Sequence, residues 1–268
     1  METYRLVLEY DGGRYRGWQV QMNAKSVAGE LLRVLEDLGA QVLELGGAGR
    51  TDAGVHALAQ VAHLRLRQAP RGGPAQLQRA LNELLPKDIH VLEVAAALPR
   101  FHARHDAVLR SYVYQITQRR TAFAKPFVWW VREDLDLARI EAAAALVPGR
   151  HDFAQFCQRP EDQESTLVEV ERVEVASEGD LILVRIAASH FLWRMVRRVV
   201  GCLVRVGTGE LSVDGFARLL AGQPPPPGRG TPAEWTAPAA GLFLERVLYR
   251  GDAPLGPLAP VTPVTRWE

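Results

Sequence analysis

The chain is poor in cysteine and lysine and has no long apolar run. Its 268 residues include two cysteines, Cys157 and Cys202, too few for a disulfide framework and without a zinc-binding spacing. No apolar run reaches the length of a membrane span, and residues 1–5 lack the basic-then-apolar layout of a signal peptide. These absences lead us to expect a cytoplasmic protein in a reducing compartment, with no membrane partner.

The chain also lacks a strong net charge, which is only +1. A global basic field is therefore excluded, but the type of basic residue is biased, since only three of the 32 basic residues are lysines. Arginine presents a planar fork of donors that suits phosphate and base edges, although genome composition can also favour it. Two local clusters stand out, Arg119-Arg120 and Arg194 with Arg197-Arg198. Such clusters are solvated faces unless they line a common groove.

Hydrophobic periodicity predicts alternating strands and helices in the first part of the chain. The predicted elements are a strand at 4–10, a helix at 27–38 capped by Ser26, a strand at 60–68, a helix at 77–85 and a strand at 89–94. On the strand predicted at 60–68, His63, Arg65 and Arg67 alternate with apolar residues. We therefore expect a sheet packed on helices below, with a basic face open to a polyanion above.

A second set of elements follows from residue 106. The predicted elements are a strand at 108–116, a helix at 136–146, a hairpin of 167–175 with 181–186, helices at 191–205 and 212–220, an irregular segment at 223–238 and a strand at 241–249. Helices and antiparallel strands mix in both halves, which indicates an α+β fold. We expect an N-terminal half at 1–105 and a C-terminal half at 106–268.

The most unusual segment is a loop of small residues around one acid. Residues 46–57 read GGAGRTDAGVHA, with Asp52 in the middle and Arg50 two positions before it. Glycines leave room for a bulky ligand to approach. The segment has no lysine for a phosphate-binding loop, and Asp52 occupies the third glycine position of a dinucleotide fingerprint. A glycine-rich turn whose aspartate bonds its own backbone remains the alternative to a catalytic carboxylate.

Motifs in the same order along nearly the whole chain resemble the TruA-type tRNA pseudouridine synthases. The matching segments are LEYDG at 8–12 with Tyr15 and GWQ at 17–19, GRTDAGVH at 49–56, ALN at 80–82, FHAR at 101–104, RSYVY at 110–114, FLWRMVRR at 191–198, Val200-Gly201, Ala237-Pro238 and Gly241-Leu242. The resemblance implies two RRM-like (ferredoxin-like) halves with antiparallel or mixed sheets, forming a pseudouridine synthase fold with a cleft between them.

The same resemblance implies an isomerisation of uridine within tRNA. The uracil is cut from C1′ at N1, turned and rejoined through C5, at tRNA positions 38, 39 and/or 40 of the anticodon stem-loop. The reaction gains and loses no electrons, so no cofactor is expected, and no metal is expected either. The family forms homodimers in which one tRNA touches both subunits, so the implied partners are tRNA and a second copy of the chain.

Three catalytic roles carry over by resemblance. Asp52 corresponds to the essential aspartate, Tyr112 to the active-site tyrosine and Arg197 to the basic partner of the aspartate. An aspartate is ionised at neutral pH, and an adjacent arginine opposes the pKa rise that burial causes. The carboxylate can attack C1′, add to C6 or act as a base at C2′, and the sequence leaves these routes open. Tyr112 offers a face for the uracil and a hydroxyl for the C5 proton.

Further residues near these three are candidates for contacting the RNA or the substrate. They are Arg50, Thr51, His56, Arg110, Arg194 and Arg198. Structural roles compete with these assignments: a tyrosine on a strand is often core, an arginine on a helix often reaches to water, and His56 and His63 can be buried structural histidines. Arg197 and Arg198 point about 100° apart on a helix, so only one of them can face the cleft.

Two other functions fit parts of the pattern. A catalytically silent RNA-binding protein with paired RRM-like sheets would explain basic strand faces, but RRM signature motifs are missing. A nucleoside hydrolase could use Asp52, but the calcium-binding aspartate clusters typical of such enzymes do not occur in the sequence. We therefore expect a tRNA pseudouridine synthase.

Overall fold

The computed structural model describes residues 1–69, 71–158, 165–225, 228 and 230–264. They divide into two compact units. The first consists of Met1–Val108 together with Phe243–Pro254, and the second of Leu109–Leu242 together with Leu255–Glu268. A segment close to the C-terminus thus belongs to the first unit, although it is far from that unit in sequence.

The elements follow one another in mixed order. The strands are β1 (Glu2–Tyr10), β2 (Val42–Gly47), β3 (His56–Leu66), β4 (Ile89–Ala96), β5 (Ala107–Thr117), β6 (Trp129–Trp130), β7 (Gly149–Asp152), β8 (Leu167–Glu178), β9 (Leu181–Ala188) and β10 (Leu242–Tyr249). The helices are α1 (Val27–Asp37), α2 (Gly73–Leu84), α3 (Leu137–Ala144), α4 (Met195–Gly207) and α5 (Val213–Leu220). The α+β class predicted from periodicity is confirmed.

Strand β3 is the centre of the first unit's sheet. On one side it pairs antiparallel with β1, which in turn pairs antiparallel with β4. Strand β2 also pairs antiparallel with β3, and β10 pairs with it in parallel at His56 and Ala57. One face of β1 is apolar and fully buried at Leu6 and Leu8, as its alternation predicts.

The second unit has an antiparallel sheet in the order β5-β9-β8-β7, and the short β6 pairs in parallel with β5. Strands β8 and β9 form the predicted hairpin. Helices α3, α4 and α5 pack on one another. Edge-to-face contacts join Phe156 to Phe153 and to Phe216, each with ring centroids 5.9 Å apart, and all three rings are buried.

Local capping signals correctly predicted where several helices begin. The side chains of Ser26, Asp136 and Ser212 each accept a hydrogen bond from a backbone N–H in the first turn of α1, α3 and α5, respectively. Within its described residues, the segment 223–238 forms no helix or strand, as its Pro and Gly content predicts.

Two expectations were wrong. The helix predicted from Phe191 begins only at Met195, because Arg194 takes a left-handed backbone conformation with φ of 64°. The face of β3 that carries His63 and Arg65 is not an open basic surface. His63 is 1% exposed, and Arg65 forms an ion pair with Glu44.

None of the helices in the described part of the chain is both long enough and apolar enough to cross a membrane.

Candidate active site

The loop that carries Asp52 runs from Ala48 to Val55, between β2 and β3 of the first unit. Thr51, next to the acid, is buried, and its hydroxyl lies 2.8 Å from the Tyr10 hydroxyl in a buried hydrogen bond. The Trp18 N–H donates to the Thr51 carbonyl at 3.1 Å. Long-range contacts therefore hold the residue before Asp52 on both its side chain and its backbone.

Two glycines, Gly12 and Gly17, pack directly against the backbone of this loop. A Cβ on Gly17 would lie 2.4 Å from the Thr51 carbonyl oxygen, and a Cβ on Gly12 would lie 1.9 Å from that of Val55. Only glycine fits at such distances, and Gly17 also has φ of 95°. The GWQ and LEYDG motifs thus act structurally, by fixing the backbone around Asp52.

Asp52 itself is half-buried, whereas Arg50 is exposed. The Val55 N–H donates to the Asp52 carbonyl at 3.1 Å, and the Gly54 N–H donates to the Tyr15 carbonyl at 3.2 Å. The turn after the acid is closed in this way, so the loop presents Asp52 from a defined backbone.

His56 has the environment of a structural histidine. It is 1% exposed, its Nδ1 accepts the Gly12 N–H at 3.1 Å, and its ring stacks on Phe243 with centroids 4.8 Å apart. These contacts fit the structural alternative weighed for His56, which here ties the start of β3 to the Gly12 turn.

In the second unit, Tyr112 lies on β5 with little of its surface exposed. The Phe191 ring meets it edge to face, with centroids 5.0 Å apart. Arg110 precedes it on the same face of the strand, is also buried, and donates from Nη1 to the Ser189 carbonyl at 2.6 Å. Tyr112 and Arg110 therefore both contact the loop that leads into α4.

Arg197 and Arg198 differ sharply in environment. The buried Arg198 donates from Nη1 to the Cys157 carbonyl, and burial lowers the pKa of its guanidinium. Arg197 is half-buried, and its Nε donates to the Ala237 carbonyl at 2.7 Å. Both arginines bind a backbone carbonyl of the second unit, but only Arg197 is partly exposed, which makes it the better candidate for contact with the aspartate.

Arg194 is the one non-glycine residue with positive φ in the described part of the chain. Its guanidinium carbon lies 5.4 Å from the centre of the Trp193 ring, and both residues are exposed. A strained backbone of this kind costs free energy and is often found near functional sites. Arg194 remains a candidate RNA-binding residue.

Sequence reasoning placed Tyr114 in the RSYVY motif but gave it no role in the site. Its hydroxyl donates to the Pro238 carbonyl at 2.7 Å. Burial raises the pKa of Tyr114, while the charge of Arg197 opposes that rise. The signal was its position two residues after Tyr112, on the same face of β5.

One polar cluster in the first unit has the composition of a cation site. Ligand atoms of Glu44, His63 and His102 lie within 4.8 Å of one another. However, Nδ1 of His63 accepts the Ala103 N–H and Nδ1 of His102 accepts the Arg104 N–H, both at 3.2 Å. Neutral imidazoles with this pattern carry the proton on Nε2, which then cannot bind a metal. The His63 ring instead faces Glu44 and lowers the pKa of that carboxyl group.

Comparison with known proteins places these features in a family. A sequence profile described as tRNA pseudouridine synthase matches residues 142–250. A Rhodopseudomonas palustris protein named tRNA pseudouridine synthase A is 39% identical over 252 residues, covering 93% of this chain and 100% of that protein. The chain belongs to the tRNA pseudouridine synthase A family.

Other relatives of the same name agree over similar lengths. One from Porphyromonas gingivalis is 37% identical, covering 94% of this chain and 99% of that protein. One from Solidesulfovibrio magneticus is 41% identical, covering 93% of this chain and 92% of that protein. As a member of the tRNA pseudouridine synthase A family, the chain is an isomerase, as the motifs predicted.

Proposed function

We propose that this tRNA pseudouridine synthase converts uridine to pseudouridine at position 38, 39 and/or 40 in the anticodon stem-loop of tRNA. The observation that carries the proposal is the way the Asp52 loop is held in place. Gly17 packs against the Thr51 carbonyl, and the Thr51 hydroxyl is hydrogen-bonded to the Tyr10 hydroxyl. Such rigidity suits an acid that must meet a nucleoside in one orientation.

We further propose that the two halves are RRM-like and form a pseudouridine synthase fold, with a cleft that unites Asp52 with Tyr112 and Arg197. Arg197 would keep the carboxylate ionised and would orient it by a two-pronged hydrogen bond. Support comes from the partners of the adjacent arginine, since Arg198 binds the Cys157 carbonyl inside the second unit.

The reaction breaks the bond between N1 and C1′ and forms one between C5 and C1′. The C5 proton leaves, and N1 ends protonated, so atoms and electrons balance within the nucleotide. Breaking the glycosidic bond builds positive charge on the sugar, which the carboxylate of Asp52 stabilises. Tyr112 packs on the detached uracil and moves the C5 proton.

The target base must leave the RNA stack before it can react, which costs a few kcal/mol. Arg50, exposed beside Asp52, is our candidate for a wedge or a phosphate contact in that step, together with Arg194. We also propose that the enzyme acts in the cytoplasm. We further propose that it is a homodimer, which light scattering of the purified protein would test.

The replacement of Asp52 by Asn tests the assignment directly. We expect the variant to fold, to bind tRNA and to form no pseudouridine, since the amide has the shape of the carboxylate but cannot act as its nucleophile or base. The measurement is mass spectrometry of a tRNA transcript after incubation, with site mapping by carbodiimide labelling. Asp134→Asn, at an exposed position, is the matched control. Turnover near the wild-type rate in Asp52→Asn would remove Asp52 from the mechanism.

A further inference from the structure

Residues 118–132, which we call the 118–132 surface, combine basic and aromatic side chains in the second unit. The segment contains no acidic residue. Its basic residues are Arg119, Arg120, Lys125 and Arg132, and its aromatic residues are Phe123, Phe127, Trp129 and Trp130. The proposed reaction uses none of them.

The turn at the tip of this segment is anchored to the body of the unit. Ala124 and Val128 are buried in an apolar cluster with Leu183. The Ala124 N–H donates to the Thr121 hydroxyl at 3.3 Å, and the Phe127 N–H donates to the Ala124 carbonyl at 2.8 Å. The position of residue 123 is therefore set by its neighbours on both sides.

Phe123 is 95% exposed on this anchored turn. A ring in that position contributes nothing to the core, and its neighbours prevent it from folding away. An exposed flat ring is the kind of platform on which an unpaired nucleobase stacks.

Two arginines of the 118–132 surface lie over its Trp130 ring. The guanidinium carbons of Arg120 and Arg132 lie 5.7 and 5.1 Å from the centre of the Trp130 ring. Stacking uses the flat face of a guanidinium and leaves its N–H edge to donate to phosphate. Arg119 is paired with Asp180, whereas among the described residues no ion pair joins a carboxylate to Arg120, Lys125 or Arg132.

The location also suits a long substrate. Tyr112 lies five residues before Thr117, the end of β5, and the 118–132 surface follows directly. At 3.3 Å per residue the strand carries the chain about 17 Å from Tyr112. A nucleic acid held at Tyr112 extends well beyond that distance, whereas a single nucleoside does not.

We propose that the 118–132 surface binds RNA that flanks the target uridine, with a base stacked on Phe123 and phosphates held by Lys125 and Arg120. A protein partner fits less well, because lysine is depleted at protein interfaces, whereas Lys125 lies two residues from Phe123 in a segment without acidic residues. The inference rests on the proposed function, since it takes tRNA as the bound molecule.

Two substitutions of the same side chain test the stacking. In Phe123→Leu the site stays apolar but loses the flat ring, so we expect the Kd for a full-length tRNA transcript to rise at least about fivefold. Phe123→Tyr retains the ring and should bind with nearly wild-type affinity. Equal affinity of the two variants and wild type would overturn the inference. So would a change of oligomeric state in Phe123→Leu by light scattering, which would make a second copy of the chain the occupant.

The charge is tested by salt dependence. The binding constant K falls as salt rises, so the slope of log K against log salt is negative. Lys125→Ala should reduce the magnitude of this slope by about 1, because one phosphate contact is lost. Arg218→Ala is the control, since Arg218 is exposed in the same unit but its charge is paired with Asp214, and its slope should match wild type. An unchanged slope in Lys125→Ala would overturn the phosphate contact.

Failure of this inference is distinguishable from failure of the proposed function. A wild-type enzyme that forms pseudouridine, with all these variants binding tRNA equally well, overturns the inference alone. The opposite result is also possible: Phe123→Leu binds tRNA more weakly than wild type, but the wild-type enzyme forms no pseudouridine. That result would support the RNA-binding surface and rule out the proposed reaction.

Discussion

Arg197 and Arg198 show at the scale of single residues how two neighbours of the same type come to do different work. Their side chains leave α4 in different directions, and each meets a different carbonyl: Ala237 for Arg197 and Cys157 for Arg198. Both carbonyls belong to buried residues, so the loss of either side chain leaves a buried acceptor without that donor. The rate of the reaction, rather than stability, should therefore separate the two positions.

Replacement of each arginine by Met, which keeps the apolar stem, should affect stability in the same direction and the rate differently. Arg197→Met should lower kcat by about a hundredfold or more, as expected when a charged group of the transition state is lost, and should also lower Tm, because the buried Ala237 carbonyl loses its donor. Arg198→Met should leave the Cys157 carbonyl unpaired, cost about 1–3 kcal/mol and lower Tm by several degrees. The measurements are single-turnover pseudouridine formation and calorimetry of both variants. Arg198→Met should keep kcat near the wild-type value. If it proved the slower of the two enzymes, the two roles would have to be exchanged.

At the scale of elements, the Asp52 loop depends on residues that are far from it in sequence. Gly17 touches the Thr51 carbonyl region so closely that no side chain fits, and Tyr10 on β1 holds the Thr51 hydroxyl. The loop has no helix or strand of its own to stiffen it. Its geometry is therefore a property of the contact with residues 10–18.

Gly17→Ala should move the loop without touching the substrate. The added Cβ would lie 2.4 Å from the Thr51 oxygen in a left-handed backbone, which costs at least about 1 kcal/mol in the backbone conformation alone. We expect kcat to fall more than tenfold together with a lower Tm. Gly256→Ala is the control, since a Cβ there meets open space. A variant with lower Tm but wild-type kcat would show that the exact position of the loop does not limit the reaction.

Elements whose signals are local were predictable from the sequence, and those set by distant contacts were not. Ser26 and Asp136 mark helix starts because capping involves neighbouring residues only. The helix start at Phe191 was mispredicted because its apolar repeat continues through a turn that packs Phe191 on Tyr112. The two-residue strand Trp129–Trp130 is too short to show any period.

The same division applies to the candidate site. The Asp52 motif is visible as a rare loop sequence, whereas the anchoring of Thr51 by Tyr10 requires two elements to meet and has no local signature. The choice between Arg197 and Arg198 likewise depends on Cys157, which lies on a separate segment of the second unit. Helix geometry predicts that the two arginines point in different directions, but it cannot say which of them is buried.

At the scale of the whole molecule, the two native cysteines can report the opening of the second unit without any engineered residue. Both Cys157 and Cys202 are buried in the second unit, and burial raises the pKa of the Cys202 thiol. A raised thiol pKa means that little thiolate is present even at mildly alkaline pH, and the thiolate is the reactive form. Reaction of Cys202 with a disulfide reagent should therefore require the unit to open.

We expect a thiol reagent such as dithionitrobenzoate to label the native protein slowly and the guanidinium-unfolded protein at once. Saturating tRNA should slow the native reaction further, because a ligand that binds only the folded state stabilises it. At a tRNA concentration of about a hundred times Kd this stabilisation is about 2.7 kcal/mol, which corresponds to roughly a hundredfold slower labelling. An RNA duplex without the anticodon loop, at the same concentration, is the control and should protect less. Labelling that tRNA leaves unchanged would mean that the thiols become exposed by a local motion in which the bound RNA stays in place. In that case the second unit would not have to unfold for its core to be reached.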